Sequence, residues 1–234
     1  MPSGSAPEDE IPLGGGRTTR GVCRVGDTVR RPRSARSAFV RRLLEHLAAR
    51  RFAGAPRFLG TDAAGRDVLS FVPGVVPADL GAFSQPQLAA AARLLRALHE
   101  ATLDCDLTDG HEVVCHGDAS PCNCVLVDGL PAAFIDFDAA HPGARADDLG
   151  YAAWHWLDIG NDEIAVGDQR HRLAAFFADY GAAGEIEPVT AVLAAQARAS
   201  GRTGSSAAHQ EWVAGCRAWT LRHSRRLLLP SRAP

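Results

Sequence analysis

The amino-acid sequence contains no lysine, so its 25 basic residues other than histidine are all arginine. A mechanism that needs a lysine amine, such as Schiff-base chemistry, is therefore excluded. A Walker A phosphate-binding loop is excluded for the same reason, because that loop ends in Gly-Lys followed by Ser or Thr.

Strong net charge, long apolar runs and paired cysteines are also missing. A formal net charge of −2 and a pI of about 6.5 give no electrostatic reason to expect a nucleic-acid or membrane partner. No apolar run approaches the ~20 residues that span a bilayer, and the polar, acidic start MPSGSAPEDE is unlike a signal peptide. The six cysteines form no repeated C-x-x-C pairs. We therefore expect no zinc site, reduced thiols and a cytoplasmic location.

The segment 11–74 has mostly the pattern of β-strands. Residues 1–10 are rich in Pro, Ser and Gly, which is typical of a mobile tail. Strand-like runs follow at 11–13, 21–25, 28–31, 56–59 and 67–72, with a hairpin signal at Gly26-Asp27. Apolar residues at helical spacing predict one helix over 35–51. Val72-Pro73-Gly74 then interrupts regular structure.

The segment 75–234 has a different, mostly helical character. Ser84 is a plausible N-cap for a helix over 85–101. Short strand-like runs at 113–115, 124–127 and 132–135 precede predicted helices at about 146–159, 168–180, 186–199 and 207–229. The sequence therefore predicts an α+β, two-lobed fold with a β-rich N-lobe and a larger, mostly α-helical C-lobe. Nucleotides commonly bind in a crevice between such lobes.

The most informative stretch is VVCHGDASPCNCVLV, followed by AFIDFD. It places Asp118 in a loop after an apolar strand, where a carboxylate can accept a hydrogen bond from a substrate hydroxyl. Phosphoryl transfer from ATP needs such a group, together with oxygen ligands that hold Mg²⁺ on the phosphates. Asp118 is therefore a candidate catalytic base. The alternative is an ordinary surface-loop aspartate.

Asn123 and Asp136 are candidate ligands of that metal ion. A turn at Asp128-Gly129 would join the strands that follow Asn123 and precede Asp136, so both side chains would lie at the same end of a hairpin. One amide oxygen and one carboxylate, completed by water and phosphate oxygens, suit Mg²⁺. An N-capping Asn and a strand-end Asp are the alternative interpretations.

The pattern H-G-D-x-x-x-x-N followed by I-D-F resembles the aminoglycoside phosphotransferase and choline kinase-like family, which has the protein-kinase-like fold. The resemblance implies that Asp118 is the catalytic base and that Asn123 and Asp136 bind magnesium. It implies that His116 belongs to the catalytic loop, which it shapes through hydrogen bonds. It also implies that Asp148 accepts backbone hydrogen bonds from that loop. The expected cofactors are ATP and Mg²⁺, and the expected acceptor is a small-molecule hydroxyl; the sequence names no protein partner.

A kinase-like N-lobe also implies a glycine-rich loop and a hinge strand that bind the nucleotide. Gly14-Gly15-Gly16 lies between the first two predicted strands, so the backbone amides of Gly15 and Gly16 are candidates for covering the phosphates. An ordinary hairpin turn is the alternative. Ser70 and Val72 match the hinge in position, and their backbone groups are candidates for binding adenine.

The strand lysine that such a lobe uses on the phosphates is replaced by arginine. The strand Thr28-Val29-Arg30-Arg31 alternates its side chains between two faces. We predict that Arg30, opposite the apolar Val29, contacts the phosphates, because arginine keeps the charge and offers a bidentate fork. Glu45 on the following helix is the candidate ionic partner of that arginine.

Two competing functions follow from the same residues. The missing lysine favours a nucleotide-binding pseudokinase that does not catalyse transfer. A protein kinase is disfavoured because the catalytic loop reads His-Gly-Asp rather than the His-Arg-Asp of protein kinases. In addition, the segment between Asp138 and Asp148 contains no Ser, Thr or Tyr that phosphorylation could use.

Overall fold

The computed structural model describes residues 10–13, 21–78, 82–201 and 206–228. Gly15 and Gly16, and most of the predicted tail 1–10, lie outside these residues. The described chain has a small antiparallel sheet followed by a mostly helical region, which confirms the predicted α+β, two-lobed fold. The division of the chain at residue 74 stays a prediction.

The N-terminal region is a sheet with one helix beside it. Its strands pair in the order β1-β2-β3-β5-β4, and every pairing is antiparallel. The elements are β1 (Ile11–Pro12), β2 (Cys23–Val25), β3 (Thr28–Arg31), α1 (Ser37–Ala49), β4 (Phe58–Thr61) and β5 (Asp67–Ser70).

Helix α1 packs through one apolar face. Val40, Leu43, Leu44 and Leu47 are buried, at the helical spacing that the sequence shows. Glu45 lies on the opposite, exposed side of the helix. The orientation of α1 is therefore set by its leucines, which turn Glu45 toward solvent.

The C-terminal region contains two short strand pairs and five long helices among the described residues. Strand β6 pairs with β9, and β7 pairs with β8. The elements are α2 (Gln85–Thr102), β6 (Val113–Cys115), β7 (Cys124–Val127), β8 (Leu130–Phe134), β9 (His141–Gly143), α3 (Arg145–Leu157), α4 (Val166–Tyr180), α5 (Pro188–Ser200) and α6 (Ala207–Leu228).

The sequence predicted most of these elements to within a few residues. Helix α2 begins after Ser84, whose N–H donates to the Gln87 side chain at 2.9 Å as in a capping box. Strand β9 was missed. It is three residues long and contains both Pro and Gly, so only its pairing with β6 makes it a strand.

Helix α3 is the buried centre of the helical region. Trp154, Trp156 and Leu157 are almost fully buried in it. Gly150 lets helix α5 approach closely, because a Cβ atom there would collide with the backbone of Ala191. This packing fixes α3 in the core, so side chains along α3 can hold the loops beside it in place.

A backbone hydrogen bond connects the two lobes in addition to the chain itself. The Phe134 N–H donates to the Gly54 carbonyl at 2.9 Å. Val75, just after the predicted division, forms an isolated antiparallel bridge with Leu126 of the β7–β8 hairpin. Among the described helices, none has the length and apolar character that a membrane crossing requires.

Candidate active site

The loop after β6 carries the histidine and aspartate of the sequence motif. Gly117 has a φ of +77°, and a Cβ atom there would collide with the Ala139 carbonyl, so this position needs glycine. The Asp118 N–H donates to His116 Nδ1 at 3.3 Å. The loop therefore turns sharply after His116 and presents Asp118, which is half-buried.

His116 is a structural part of this loop. Its Nε2–H donates to the Ile135 carbonyl at 3.1 Å, while Nδ1 accepts from Asp118. The ring packs against Phe134 and Phe137 and has no exposed surface. Burial lowers the pKa of His116 below its ordinary value, so the imidazole stays neutral. This environment fits a histidine that shapes the loop rather than one that transfers protons.

Asp148 on α3 holds the backbone of the same loop. Its Oδ2 accepts from the His116 N–H at 2.6 Å, and its Oδ1 accepts from the Gly117 N–H at 2.9 Å. Burial opposes its ionisation, but hydrogen bonds from His99 and the loop outweigh that effect and lower the pKa of Asp148. The backbone contacts expected of Asp148 are therefore present.

His99, Cys115 and Asp148 also lie close enough together to suggest a metal site. The observed contacts explain the cluster without one. His99 Nε2–H donates to Asp148 at 3.1 Å, and the Tyr180 hydroxyl donates to His99 Nδ1 at 2.7 Å. Burial raises the pKa of the Cys115 thiol, so it remains protonated and is a poor metal ligand. We interpret the cluster as a buried hydrogen-bond network.

Asn123 and Asp136 lie at the same end of the β7–β8 hairpin. The Ile135 N–H donates to the Asn123 carbonyl at 2.9 Å, which brings the next residue, Asp136, beside Asn123. The Asn123 Nδ2 donates to the Asp118 carbonyl at 3.0 Å. Asp136 has a φ of +61°, a conformation that Asp tolerates better than most residues. The structure thus brings Asp118, Asn123 and Asp136 together.

This donor set fits magnesium. With its Nδ2 engaged as a donor, Asn123 retains an amide oxygen as a potential ligand, and Asp136 supplies a carboxylate. Both are hard oxygen donors of the kind that Mg²⁺ selects. The remaining positions of an octahedron would fall to water and phosphate oxygens.

The structure corrects the prediction for Arg30. Arg31, not Arg30, lies beside Asp136, and its Nη2 donates to Asp136 Oδ1 at 2.8 Å and also to Asp138. Arg30 is on the other face of β3, where it contacts Thr28 and lies 3.8 Å from Asp62. The physical reason is that the cleft face of β3 begins with apolar Val29, so the arginine two residues later shares that face.

The predicted partnership of Glu45 is also wrong. Arg41 on the same helix donates to Glu45 at 2.9 Å, and both side chains are about half exposed. The leucines of α1 turn Glu45 away from the cleft. Asp138 takes the position of acidic partner instead, since it forms an ion pair with Arg31.

A largely apolar pocket of about 170 Å³ lies between the lobes next to Asp136. Ser70 and Val72, the two predicted hinge residues, both line it. The residues that line the pocket are Leu13, Val22, Val29, Arg31, Pro56, Leu69, Ser70, Phe71, Val72, Ile135 and Asp136.

Tyr151 is a site residue that the sequence reasoning missed. Its hydroxyl donates to Asp118 Oδ1 at 2.6 Å. Tyr151 follows Asp148 by three residues, which places both on the same side of α3. That spacing was the available signal, because Asp148 was already expected to contact the catalytic loop.

Residues 82–193 match the sequence model of the phosphotransferase enzyme family, and this segment includes Asp118, Asn123 and Asp136. Over these residues the chain is similar to the phosphotransferase enzyme family. The resemblance drawn from the motif is thereby confirmed.

A curated relative supports the same grouping. In an alignment 177 residues long, which covers 67% of this chain, the sequence is 39% identical to the trifolitoxin immunity protein of Rhizobium leguminosarum bv. trifolii. The match spans 66% of that protein's length, slightly less than two thirds.

Solved structures of phosphotransferases and kinases share the fold. The aminoglycoside phosphotransferase APH(3'')-Id of Streptomyces rimosus, in complex with ADP and streptomycin, has a TM-score of 0.59 and 17% identity, covering 92% of this chain and 94% of its own. Plasmodium vivax ethanolamine kinase has a TM-score of 0.60 and 12% identity, and the match covers 96% of this chain and 82% of the kinase. At such low identity, these similarities show the protein-kinase-like fold alone.

Proposed function

We propose that this protein transfers the γ-phosphoryl group of ATP to a hydroxyl group of a small molecule in a magnesium-dependent reaction. The observation that carries the proposal is the convergence of Asp118, Asn123 and Asp136 beside a pocket between the lobes. A protein that only binds a partner has no evident need for these three groups in one place.

Asp118 is the proposed catalytic base. Its carboxylate accepts a hydrogen bond from the acceptor hydroxyl and directs that oxygen at the γ-phosphorus. The new O–P bond forms as the bond to the β–γ bridging oxygen breaks, ADP leaves, and the hydroxyl proton passes to Asp118 and then to solvent. Because the transition state is loose, positioning contributes more than basicity.

Asn123 and Asp136 are the proposed magnesium ligands. When bound, the ion neutralises phosphate charge and favours departure of ADP. The hydrogen bond from Asn123 to the Asp118 carbonyl, 3.0 Å long, ties the proposed metal-binding residue to the backbone of the proposed base. The two functions would therefore stay aligned with each other.

The pocket between the lobes is the proposed adenine site. The Ser70 N–H donates to the Arg57 carbonyl and the Phe71 N–H donates to the Asp27 carbonyl, so both backbone donors are used. Residue 73 is proline and has no N–H. Val72 is therefore the hinge residue whose backbone N–H we assign to adenine. Gly15 and Gly16 remain candidates for covering the phosphates.

Arg31 is the proposed phosphate-binding cation in place of the missing lysine. It lines the pocket and contacts Asp136, the proposed metal ligand. A guanidinium there can bind phosphate oxygens bidentately. Asp138, which also pairs with Arg31, would keep the guanidinium oriented.

The names of related proteins suggest which acceptors to test. One structural neighbour was solved with streptomycin, another is an ethanolamine kinase, and the curated relative is named for immunity to a toxin. An acceptor screen should accordingly include aminoglycosides, amino alcohols and toxins that carry hydroxyl groups.

A nucleotide-binding pseudokinase is the second candidate. It is favoured by the lack of lysine and by Glu45, which pairs with Arg41 at 2.9 Å instead of serving the cleft. Binding of Mg-ATP without hydrolysis, and without transfer to any acceptor tested, would support this candidate against the first.

The substitution Asp118→Asn tests the proposed enzyme directly. We expect transfer to fall by at least about 100-fold, because the amide cannot accept the hydroxyl proton, while the Kd for Mg-ATP stays within about twofold. Asp104→Asn, at an exposed position outside the catalytic loop, is the matched control and should leave turnover unchanged. Near-normal turnover in Asp118→Asn would refute the assigned base.

A further inference from the structure

We infer that Tyr151 is a positioning residue that holds the Asp118 carboxylate in its reactive orientation, an inference that rests on the proposed function. The Tyr151 hydroxyl donates to Asp118 Oδ1 at 2.6 Å. A carboxylate has two oxygens, so a hydrogen bond that fixes one of them directs the other. The second oxygen is then the one that meets the acceptor hydroxyl.

The ring of Tyr151 is itself held firmly. It stacks on His155 with ring centroids 4.1 Å apart and an interplanar angle of 30°. His155 Nδ1–H donates to the Tyr151 carbonyl at 3.0 Å, and Trp154 meets the tyrosine ring edge-on at 6.1 Å. These contacts involve the ring and the backbone, whereas the hydroxyl contacts Asp118.

The same helix also holds the backbone on either side of Asp118. One turn before Tyr151, Asp148 accepts from the N–H groups of His116 and Gly117. Trp156 Nε1–H donates to the Ala119 carbonyl at 3.0 Å. Helix α3 therefore fixes both the backbone and the carboxylate of the proposed base. A role through Asp118 predicts an effect on turnover without an effect on nucleotide binding.

Tyr151→Phe is the variant to measure, because it removes the hydroxyl and retains the stacked ring. We expect kcat to fall about tenfold to 100-fold, as misplacement of a reacting group does. The KM for ATP and the midpoint of thermal unfolding should stay unchanged. A purely structural hydroxyl would instead alter the unfolding midpoint and leave kcat alone.

Tyr180→Phe is the matched control, since Tyr180 is the second of the two tyrosines. Its hydroxyl donates to buried His99 at 2.7 Å, away from Asp118. Removing it leaves a buried nitrogen without its donor, so we expect a lower unfolding midpoint with little change in kcat at a temperature where the variant is folded.

An infrared measurement tests the hydrogen bond without any turnover assay. In the Tyr180→Phe background Tyr151 is the single tyrosine, so its ring C–O band reports what its hydroxyl contacts. Adding Asp118→Asn should shift that band. The inference about Tyr151 would be overturned, and the proposed function would stand, if the band did not shift or if the wild type were active and Tyr151→Phe had the same kcat. Absence of turnover in the wild-type chain with every acceptor would overturn the proposed function.

Discussion

At the scale of single residues, the choice between two adjacent arginines shows what the sequence leaves open. Alternation along β3 correctly placed Arg30 and Arg31 on opposite faces. It did not say which face meets the cleft. The prediction assumed that the phosphate-binding cation would lie opposite the apolar Val29. The cleft is largely apolar, however, so Val29 and Arg31 share its lining.

Substituting each arginine separately tests this assignment. We expect Arg31→Gln to weaken Mg-ATP binding about tenfold to 100-fold, because a charge-assisted contact to phosphate is lost. Arg30→Gln should change the Kd less than about twofold, since Arg30 pairs with Asp62 on the other face. Isothermal titration calorimetry on both variants gives the comparison.

The neighbouring substitution Arg31→Lys adds a control for charge. It keeps the cation and loses the bidentate fork, so its Kd should lie between those of the wild type and Arg31→Gln. Equal losses of affinity from Arg30→Gln and Arg31→Gln would contradict the assignment of Arg31.

The sequence was most informative where the chemistry is local in the chain. Asp118 and Asn123 lie on one loop, and a short hairpin returns the chain to Asp136, so their proximity follows from strand pairing alone. The partner of the β3 arginine depends on how a separate helix is rotated. Burial of the leucines of α1 decides that rotation, and it turns Glu45 outward.

At the scale of elements, helix α3 connects the packed core to the candidate site. Trp156 is buried in the core and also donates to Ala119. Asp148 and Tyr151 contact the loop one turn apart. A rigid helix that contacts the loop at several positions supplies the preorganised support that a reactive group needs. His155 lies on the same helix, and burial lowers its pKa, so the stability of the fold should depend on pH.

Stability should fall as the pH falls from about 6.5 to about 4. Burial is the main cause that lowers the pKa of His155 to about 4, although Asp118 and Asp158 act to raise it and His209 acts to lower it. The unfolded chain therefore binds a proton in this pH window more readily than the folded chain. The stability that neutral, buried His155 contributes is fully present above the unfolded pKa of about 6.5. It is lost as the pH falls toward about 4, and this loss amounts to about 3 kcal/mol at most.

Thermal unfolding of the wild type and of His155→Phe across this pH range provides the measurement. The variant should lose less stability toward acid than the wild type. Part of the loss should remain, because burial also lowers the pKa of His116. His111→Phe, at an exposed position, is the control. Identical slopes in the wild type and in His155→Phe would contradict the account of His155.

At the scale of the whole molecule, the chain reaches a kinase-like arrangement without lysine. Arg31 comes from the N-terminal sheet and Asp136 from the β7–β8 hairpin, and they meet at 2.8 Å. This ion pair lies where nucleotide and metal are proposed to bind. The fold class was predictable because apolar periodicity changes from strand-like to helical along the chain. The contacts between lobes were not, because they join residues 105 positions apart.

The central claim is that the Asn123 and Asp136 end of the hairpin binds magnesium together with ATP. The most direct test is the Kd for ATP with Mg²⁺ and with EDTA, for the wild type, Asp136→Asn and Asp128→Asn. Asp128 is the matched control, because it lies at the opposite end of the same hairpin and also has a positive φ, of 50°.

We expect Mg²⁺ to strengthen ATP binding at least about tenfold in the wild type and in Asp128→Asn, the size expected of a charge-assisted contact. Asp136→Asn should lose most of that gain while still binding ATP in EDTA. An equal effect of Mg²⁺ on the wild type and Asp136→Asn, or no effect on either, would contradict the account.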